Sequence, residues 1–276
     1  MKIQHLILEK IYKVFGERFL KKPRFRILNI HDVNEKDFEN LEKIIFNLKK
    51  NWNFIDPSKL QNLNNINKNH ILITFDDGYK SQKIFADKVL NRYKIKALFF
   101  VVTNFIKCNS KQEAQNFVLK NIDTSVANNP SRFSEINNMN FDDLKELIAK
   151  DNLIGSHTVN HKKLTKIDNV EELNYEIVHS KNELEKILNS KINNFAWTYG
   201  DINSINKVSY NIIKKHYENI FSGIRGDNFQ ISSHLYFRDE LSPFYSEDLA
   251  NAFLNGYSDF YYYKKRKKLL TYEEDV

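Results

Sequence analysis

His70-Ile71-Leu72-Ile73-Thr74-Phe75-Asp76-Asp77-Gly78 decides how this chain is read. Its apolar and β-branched residues read as a buried strand, which stops abruptly at two adjacent carboxylates and a glycine. Taken alone, Asp-Asp-Gly after an apolar run is often only a turn, because Asp and Gly are turn residues. A second stretch, Gly155-Ser156-His157-Thr158-Val159-Asn160-His161, offers two imidazoles four residues apart. Alone, such a pair is often a surface feature. Together the two stretches are more specific, because each supplies what the other lacks. Asp, His and His are the ligand types of a divalent metal with an open position, and a spare Asp beside them can act as a base. The combination points to metal-assisted hydrolysis.

Outward from these stretches, strand-like runs alternate with amphipathic helical segments. Strands are expected over Arg26–Val33, His70–Phe75, Ala97–Val102, Leu153–Ser156, Phe195–Thr198, Asn219–Ser222 and His234–Arg238. Helices are expected over Glu35–Lys50, Ser81–Arg92, Phe141–Lys150 capped by Asn140, Val170–Leu188, Ser204–His216 capped by Ser204, and Glu247–Leu254. Repeated strand-then-helix order implies a parallel sheet, and about seven strands favour a barrel. His31-Asp32, Asp76-Asp77, His157, Thr198-Tyr199-Gly200 and Arg238 all fall at or just after strand C-terminal ends, the face where parallel barrels place active sites. The polar, Asn-rich stretch 103–138 breaks the rhythm and reads as a partly helical insertion. No internal repeat and no linker divides the chain, so residues 1–276 are expected to form one domain.

The 276 residues are enough for a large core, and 41% hydrophobic with 28% charged residues is ordinary for a soluble protein. No run approaches a membrane span, and the N-terminal segment lacks the apolar core and cleavage site of a secretory signal. Cys108 is the single cysteine, so no internal disulfide forms, and it reads as an inert thiol in a reduced setting. The simplest expectation is a cytoplasmic protein, with the inner face of the membrane as an alternative place of work. The net charge of +7 is spread along the chain, except for Lys264-Lys265-Arg266-Lys267-Lys268 after Tyr261-Tyr262-Tyr263. Within a C-terminal tail of about 257–276, that run reads first as a solvated segment and second as a peripheral contact to an anionic membrane or glycan. Nucleic-acid binding would rest on charge alone, and no Walker A loop, dinucleotide glycine fingerprint, CxxC pair or nucleophile elbow occurs.

Thr74-Phe75-Asp76-Asp77-Gly78 resembles the first motif of the polysaccharide deacetylases, the NodB-homology group or carbohydrate esterase family four. His157-Thr158-Val159-Asn160-His161 is similar to its second motif, His-[Ser/Thr]-x-x-His, and Phe195-Ala196-Trp197-Thr198-Tyr199-Gly200 to its third. Ile27–Val33 resembles the His-bearing strand that precedes the first motif in many members. The resemblance runs from about Arg26 to Leu254. It implies a deformed (β/α) barrel of about seven parallel strands and removal of an acetyl group from a sugar. By this match Asp77, His157 and His161 hold one divalent metal, zinc in the first instance, with cobalt, nickel or manganese as alternatives. Asp76 becomes the catalytic base. The Tyr199 backbone N–H would face the oxyanion, and His31, Trp197, Tyr199 and Gly200 would contact substrate.

The chain departs from the family pattern in three places. Ala196 stands where an Arg often pairs with the base, and Arg238 is the candidate replacement. Thr198 stands where a Pro is usual. The late Leu-x-His motif that supplies the general acid is absent in plain form, leaving His234 or His31 as proton donor. The leading expectation is a metal-dependent hydrolase acting on an N-acetylated sugar of a glycan or its precursor. The alternatives are a weak or inactive glycan-binding relative and a hydrolase of a non-sugar amide on the same scaffold.

Overall fold

The computed structural model describes residues 3–16, 23–63, 67–229 and 234–274. Its strands are β1 (Phe25–Ile30), β2 (Asn53–Phe54), β3 (His70–Phe75), β4 (Ala97–Val101), β5 (Leu153–Ser156), β6 (Asn194–Ala196), β7 (Asn219–Phe221), β8 (Leu235–Tyr236) and β9 (Asp239–Glu240). They form one sheet in the order β8-β7-β6-β5-β4-β3-β1-β9, with β2 also on β3. Every pairing is parallel. The two ends of this sheet, β8 and β9, are separated only by Phe237 and Arg238. One bent segment therefore pairs Leu235 with Ile220 of β7 and Asp239 with Leu28 of β1. It curls the sheet into the expected deformed (β/α) barrel, which has seven walls when that segment counts once and β2 is set aside.

Both faces of the strands are covered, which is why they read as continuous apolar runs rather than alternating ones. Phe25, Ile27, Leu72, Leu98, Phe100 and Phe221 fill the barrel interior. Leu28, Ile30, Ile73, Phe75 and Phe99 point outward into a larger layer beneath the helices. The helix Phe38–Leu48 buries Phe38, Leu41, Ile44, Ile45 and Leu48, the stripe that its periodicity predicts. Asn140 caps Phe141–Ala149 through a capping box with Asp143, worth about 1 kcal/mol.

Three expectations need correction. Ser204 is not the cap of the next helix: Asn206 caps Lys207–His216 in a capping box with Ser209. Ile205 between them keeps an extended backbone, and the Ser204 hydroxyl closes a short turn on the Asp201 carbonyl. The helix expected over 170–188 is interrupted by a wide π-helical turn at Tyr175–His179. The basic run is not a solvated tail. It lies on a helix, Asp259–Glu274, in which Leu269 is buried and Tyr262, Leu270 and Tyr272 pack on the core. Lys265 pairs with Asp201, and Arg266 Nη1 donates to the Arg225 carbonyl at 2.7 Å. No described helix is long and apolar enough to cross a membrane.

The stretch 103–138 folds into short helical pieces around its own cluster of Tyr79, Val102, Phe105, Val118, Val126 and Ile136. That cluster seats the stretch beside the C-terminal ends of β3 and β4.

Candidate metal centre and catalytic pocket

At the C-terminal end of β3 the chain turns sharply. Asp77 has φ 79° and Gly78 φ 101°. A side chain at Gly78 would be strained by its left-handed backbone and would meet Ile106 Cδ1 at 2.6 Å. Asp76 and Asp77, both buried, thereby point to different neighbours. After β5 the chain carries His157 and His161, with positive φ at Thr158 (70°) and His161 (61°). Tyr199, after β6, has φ 63°. Four of the seven non-glycine residues with positive φ among those described therefore belong to this one site. A β-branched residue such as Thr158 is rare in that region, and each such residue costs about 1–3 kcal/mol.

The surroundings hold this backbone in place. Glu176, fully buried on the π-helical turn, accepts from the N–H groups of Val159 (3.1 Å) and Asn160 (2.8 Å) and from Asn160 Nδ2 (2.7 Å). The Thr158 hydroxyl accepts from His161 N–H at 2.9 Å.

His157 Nδ1 lies 2.8 Å from the Ala196 carbonyl, and His161 Nδ1 lies 3.0 Å from the Asn121 carbonyl. A carbonyl only accepts, so each Nδ1 carries the proton and each Nε2 presents a lone pair. Burial, opposed by Asp76 and Asp77, pushes His157 down to about 4, so its ring is neutral at neutral pH. Both Nε2 atoms face Asp77 Oδ1, at 3.5 and 3.4 Å. Oδ1 is buried without a hydrogen-bond partner among the described residues. Three lone-pair donors converging with no proton between them fit a cation. Their separations suit ligands held about 2.0–2.2 Å from one ion.

Asp76 is engaged differently. Arg238 clamps it with two hydrogen bonds, Nη1 to Oδ1 at 2.7 Å and Nη2 to Oδ2 at 2.9 Å. The Ser222 carbonyl accepts from Arg238 Nε at 2.8 Å and orients the guanidinium. Burial alone would raise Asp76, but Arg238, through its charge and its hydrogen bonds, outweighs it and holds the carboxyl well below the usual range. His31 Nε2 is 3.9 Å from Asp76 Oδ2.

Asp76, Asp77, His157, His161, His31 and Arg238 line a pocket of about 350 Å³, joined by Tyr199 and Gly200. Gly200 has φ 60° and packs against Gly223 so closely that a Cβ on it would lie 2.6 Å from the Gly223 backbone. The half-exposed Tyr199 ring sits 5.0 Å from that of His161.

Two expected residues stand elsewhere. Trp197 is fully buried in the outer core and its indole N–H bonds the Asp201 carbonyl, so it does not reach substrate. Strand alternation explains this, since Ala196 and Thr198 take the inward positions. His234 precedes β8, at the end of the barrel opposite the pocket, where its Nδ1 meets the Glu218 carbonyl at 2.6 Å. Residues beyond the motifs also matter. Glu176 and Asn121 orient the second motif, and Ile122, Asp123 and Arg132 of the 103–138 stretch line the pocket. Asp123 and Arg132 pair there at 2.8 Å. No periodicity announces these contacts, although a Glu on the apolar face of a helix was a readable signal for Glu176.

The profile of the family described as polysaccharide deacetylase matches residues 64–217, more than half of the chain. No curated protein matches. Among solved structures, IcaB from Ammonifex degensii aligns at 17% identity over 86% of this chain and 99% of that one, with TM-score 0.65. The Streptococcus pyogenes deacetylase PplD, in complex with acetate, aligns at 18% identity over 84% and 97%, with TM-score 0.60. BC0361, a polysaccharide deacetylase from Bacillus cereus, aligns at 18% identity over 86% and 70%, with TM-score 0.62. At these identities the structural likeness is one of fold, which agrees with the barrel described above. The profile match adds descent to that likeness: the chain belongs to the polysaccharide deacetylase family.

Proposed function

We propose that this protein is a metal-dependent hydrolase that removes the acetyl group from an N-acetylated sugar of a glycan or glycan precursor. One observation carries the reading. A buried, unpartnered Asp77 oxygen and two Nε2 lone pairs converge beside a second carboxylate already ionised by Arg238. Asp77, His157 and His161 would hold the ion, zinc on the strength of two imidazoles and one carboxylate. When bound, such an ion polarises the acetyl carbonyl and acidifies a water.

The chain's own groups supply the rest. Asp76 takes a proton from the attacking water, using the lone pairs that Arg238 leaves toward the pocket. Arg238 keeps Asp76 ionised before the reaction and stabilises its geometry as the proton arrives. The Tyr199 N–H faces the oxygen on which charge develops. His31, on the pocket side of Asp76, donates a proton to the departing amine as the C–N bond breaks, leaving acetate and a free amino sugar. The alternative of an inactive glycan binder rested on a missing cation and a missing histidine. Arg238 pairs with Asp76 at 2.7 Å and His31 Nε2 lies 3.9 Å from it, which supports the catalytic reading.

Acetate release from N-acetylglucosamine oligomers by the zinc-loaded protein tests this. Asp76→Asn should lower kcat roughly 10²–10⁴-fold while the zinc content stays at one per chain. His157→Ala should lose both zinc and turnover. An Asp76→Asn protein as fast as the wild type would exclude the proposed base.

A further inference from the structure

The far wall of the pocket carries a polar group that neither the fold nor the proposed chemistry uses. Interior positions recur at every second residue of a strand. Asn29 therefore lies one layer below His31 on β1, as Thr74 lies below Asp76 on β3 and Arg238 below Glu240 on the closing segment. Asn29 is opposite Thr74 in one register and opposite Glu240 in the other. It lines the pocket and is only 5% exposed, and its Oδ1 has no hydrogen-bond partner among the described residues.

The neighbours do not satisfy it. The Thr74 hydroxyl donates to the Leu28 carbonyl at 2.7 Å and accepts from Arg238 Nη1 at 3.2 Å. The four N–H bonds given to Arg238 go to Asp76, Ser222 and Thr74. Below Asn29 the interior is Ile27, Phe25, Leu72 and Leu98, so an apolar residue would suit the barrel better. Buried polar groups are normally paired, and one left open on a pocket floor is accounted for by a ligand.

On the reading of the site as a sugar N-deacetylase, we propose that Asn29 determines specificity. Its Oδ1 accepts a hydrogen bond from a hydroxyl of the sugar ring whose acetyl group lies against Asp77, His157 and His161. Asn29 thus reads a hydroxylated ring rather than any acetylated amine.

The test compares the zinc-loaded wild type and Asn29→Leu on two substrates, N-acetylglucosamine trimer and acetanilide, which has the amide but no hydroxyl. With Asn29→Leu, kcat/KM on the trimer should fall roughly 10- to 100-fold, turnover of acetanilide should be unchanged, and the melting temperature should hold or rise because a buried orphan is gone. Equal turnover of the trimer by both proteins overturns the proposal. So does a matched loss on both substrates with a lower melting temperature, which would mark Asn29 as merely structural. A wild type that hydrolyses acetanilide but not the trimer overturns the sugar assignment, and Asn29 as its reader falls with it. A wild type inert on both overturns the hydrolase reading itself.

Discussion

Two buried arginines stand on the two sides of the same closing strand. Arg238 points into the barrel and Asp239, the next residue, points out to Arg26. Both guanidiniums are almost wholly buried and each grips an aspartate with two hydrogen bonds. Arg26 binds Asp239 at 2.6 and 2.7 Å and Asp259 at 2.8 and 3.1 Å, and adds the Phe253 carbonyl at 3.2 Å. Arg225 reaches the same Asp239 at 3.3 Å. That cluster is closed, with little capacity left on its inner carboxylate, and it ties β1, β9 and the start of the C-terminal helix across the barrel seam. Asp76 instead keeps lone pairs facing the pocket. The same ion-pair chemistry is a clasp where it is sealed and, on the proposed function, a catalytic group where one side stays open.

The largest expected effect breaks the sealed pair. Arg26→Met removes the main partner of Asp239 and Asp259, leaving Arg225 at 3.3 Å from the first and Arg24 at 3.8 Å from the second, and losing one partner of a buried pair costs about 3–5 kcal/mol. Urea unfolding should show that loss. Arg238→Met should cost less stability, because water entering the pocket can solvate Asp76, yet it should lower kcat about 10²-fold through a misplaced base. Circular dichroism and acetate release on the two variants separate these outcomes. If Arg238→Met unfolds the chain as severely as Arg26→Met, the distinction between clasp and catalytic pair collapses.

The two pairs differ also in how far they were legible in sequence. Most strands were readable because they are largely apolar on both faces, Asn53–Phe54 and Asp239–Glu240 excepted, and the Asp-Asp-Gly and His-x-x-x-His stretches were readable because together they supply a ligand set that neither offers alone. Arg238 was singled out by its place at a strand end. Its partner choice depended on the bend at Phe237–Arg238, which turns one segment into two strands and which no local pattern encodes. Arg26 carried no signal, since a lone Arg opening a strand looks solvated until Asp239 and Asp259 arrive from more than 200 residues away. Trp197 was misread for the opposite reason: an aromatic in a motif suggests a sugar platform, whereas one residue of strand register sends it to the core. Asp77, His157 and His161 were legible as candidate ligands, but apart from the apolar-face signal of Glu176 their orientation was not, because those contacts come from a π-helical turn and from the 103–138 stretch.

A smaller effect comes from acid, and here Asp76 and the outer clasp carboxylate Asp259 should behave alike, whereas burial raises the inner Asp239 despite Arg26 and Arg225. Burial raises Asp76 and Asp259, but Arg238 in one case and Arg26 in the other outweigh it, and both folded values lie below the usual carboxylate range. A depressed carboxylate contributes fully above its unfolded value, near 3.9, and loses that contribution as pH falls through the lower folded value. Chelator-treated protein should therefore hold its stability from pH 7 to 5 and lose it below about pH 4. Asp76→Asn and Asp259→Asn should each flatten that acid limb. A limb unchanged by either would mean that other carboxylates drive it.

The smallest predicted change concerns Glu176, which resembles the sealed clasp in burial and the open pair in consequence. Its two oxygens accept three N–H bonds from Val159 and Asn160, in the middle of the loop that carries His157 and His161. Glu176→Gln keeps the shape and removes the charge, but turns an NH₂ group toward donors that need an acceptor. The loop already holds Thr158 and His161 at positive φ, so weaker anchoring lets those residues relax and swings one Nε2 away from Asp77. Zinc affinity should fall about tenfold, the lower end for groups that orient metal ligands, with kcat restored at saturating zinc. A kcat deficit that persists at saturating zinc would place Glu176 in the chemistry itself rather than in holding His157 and His161.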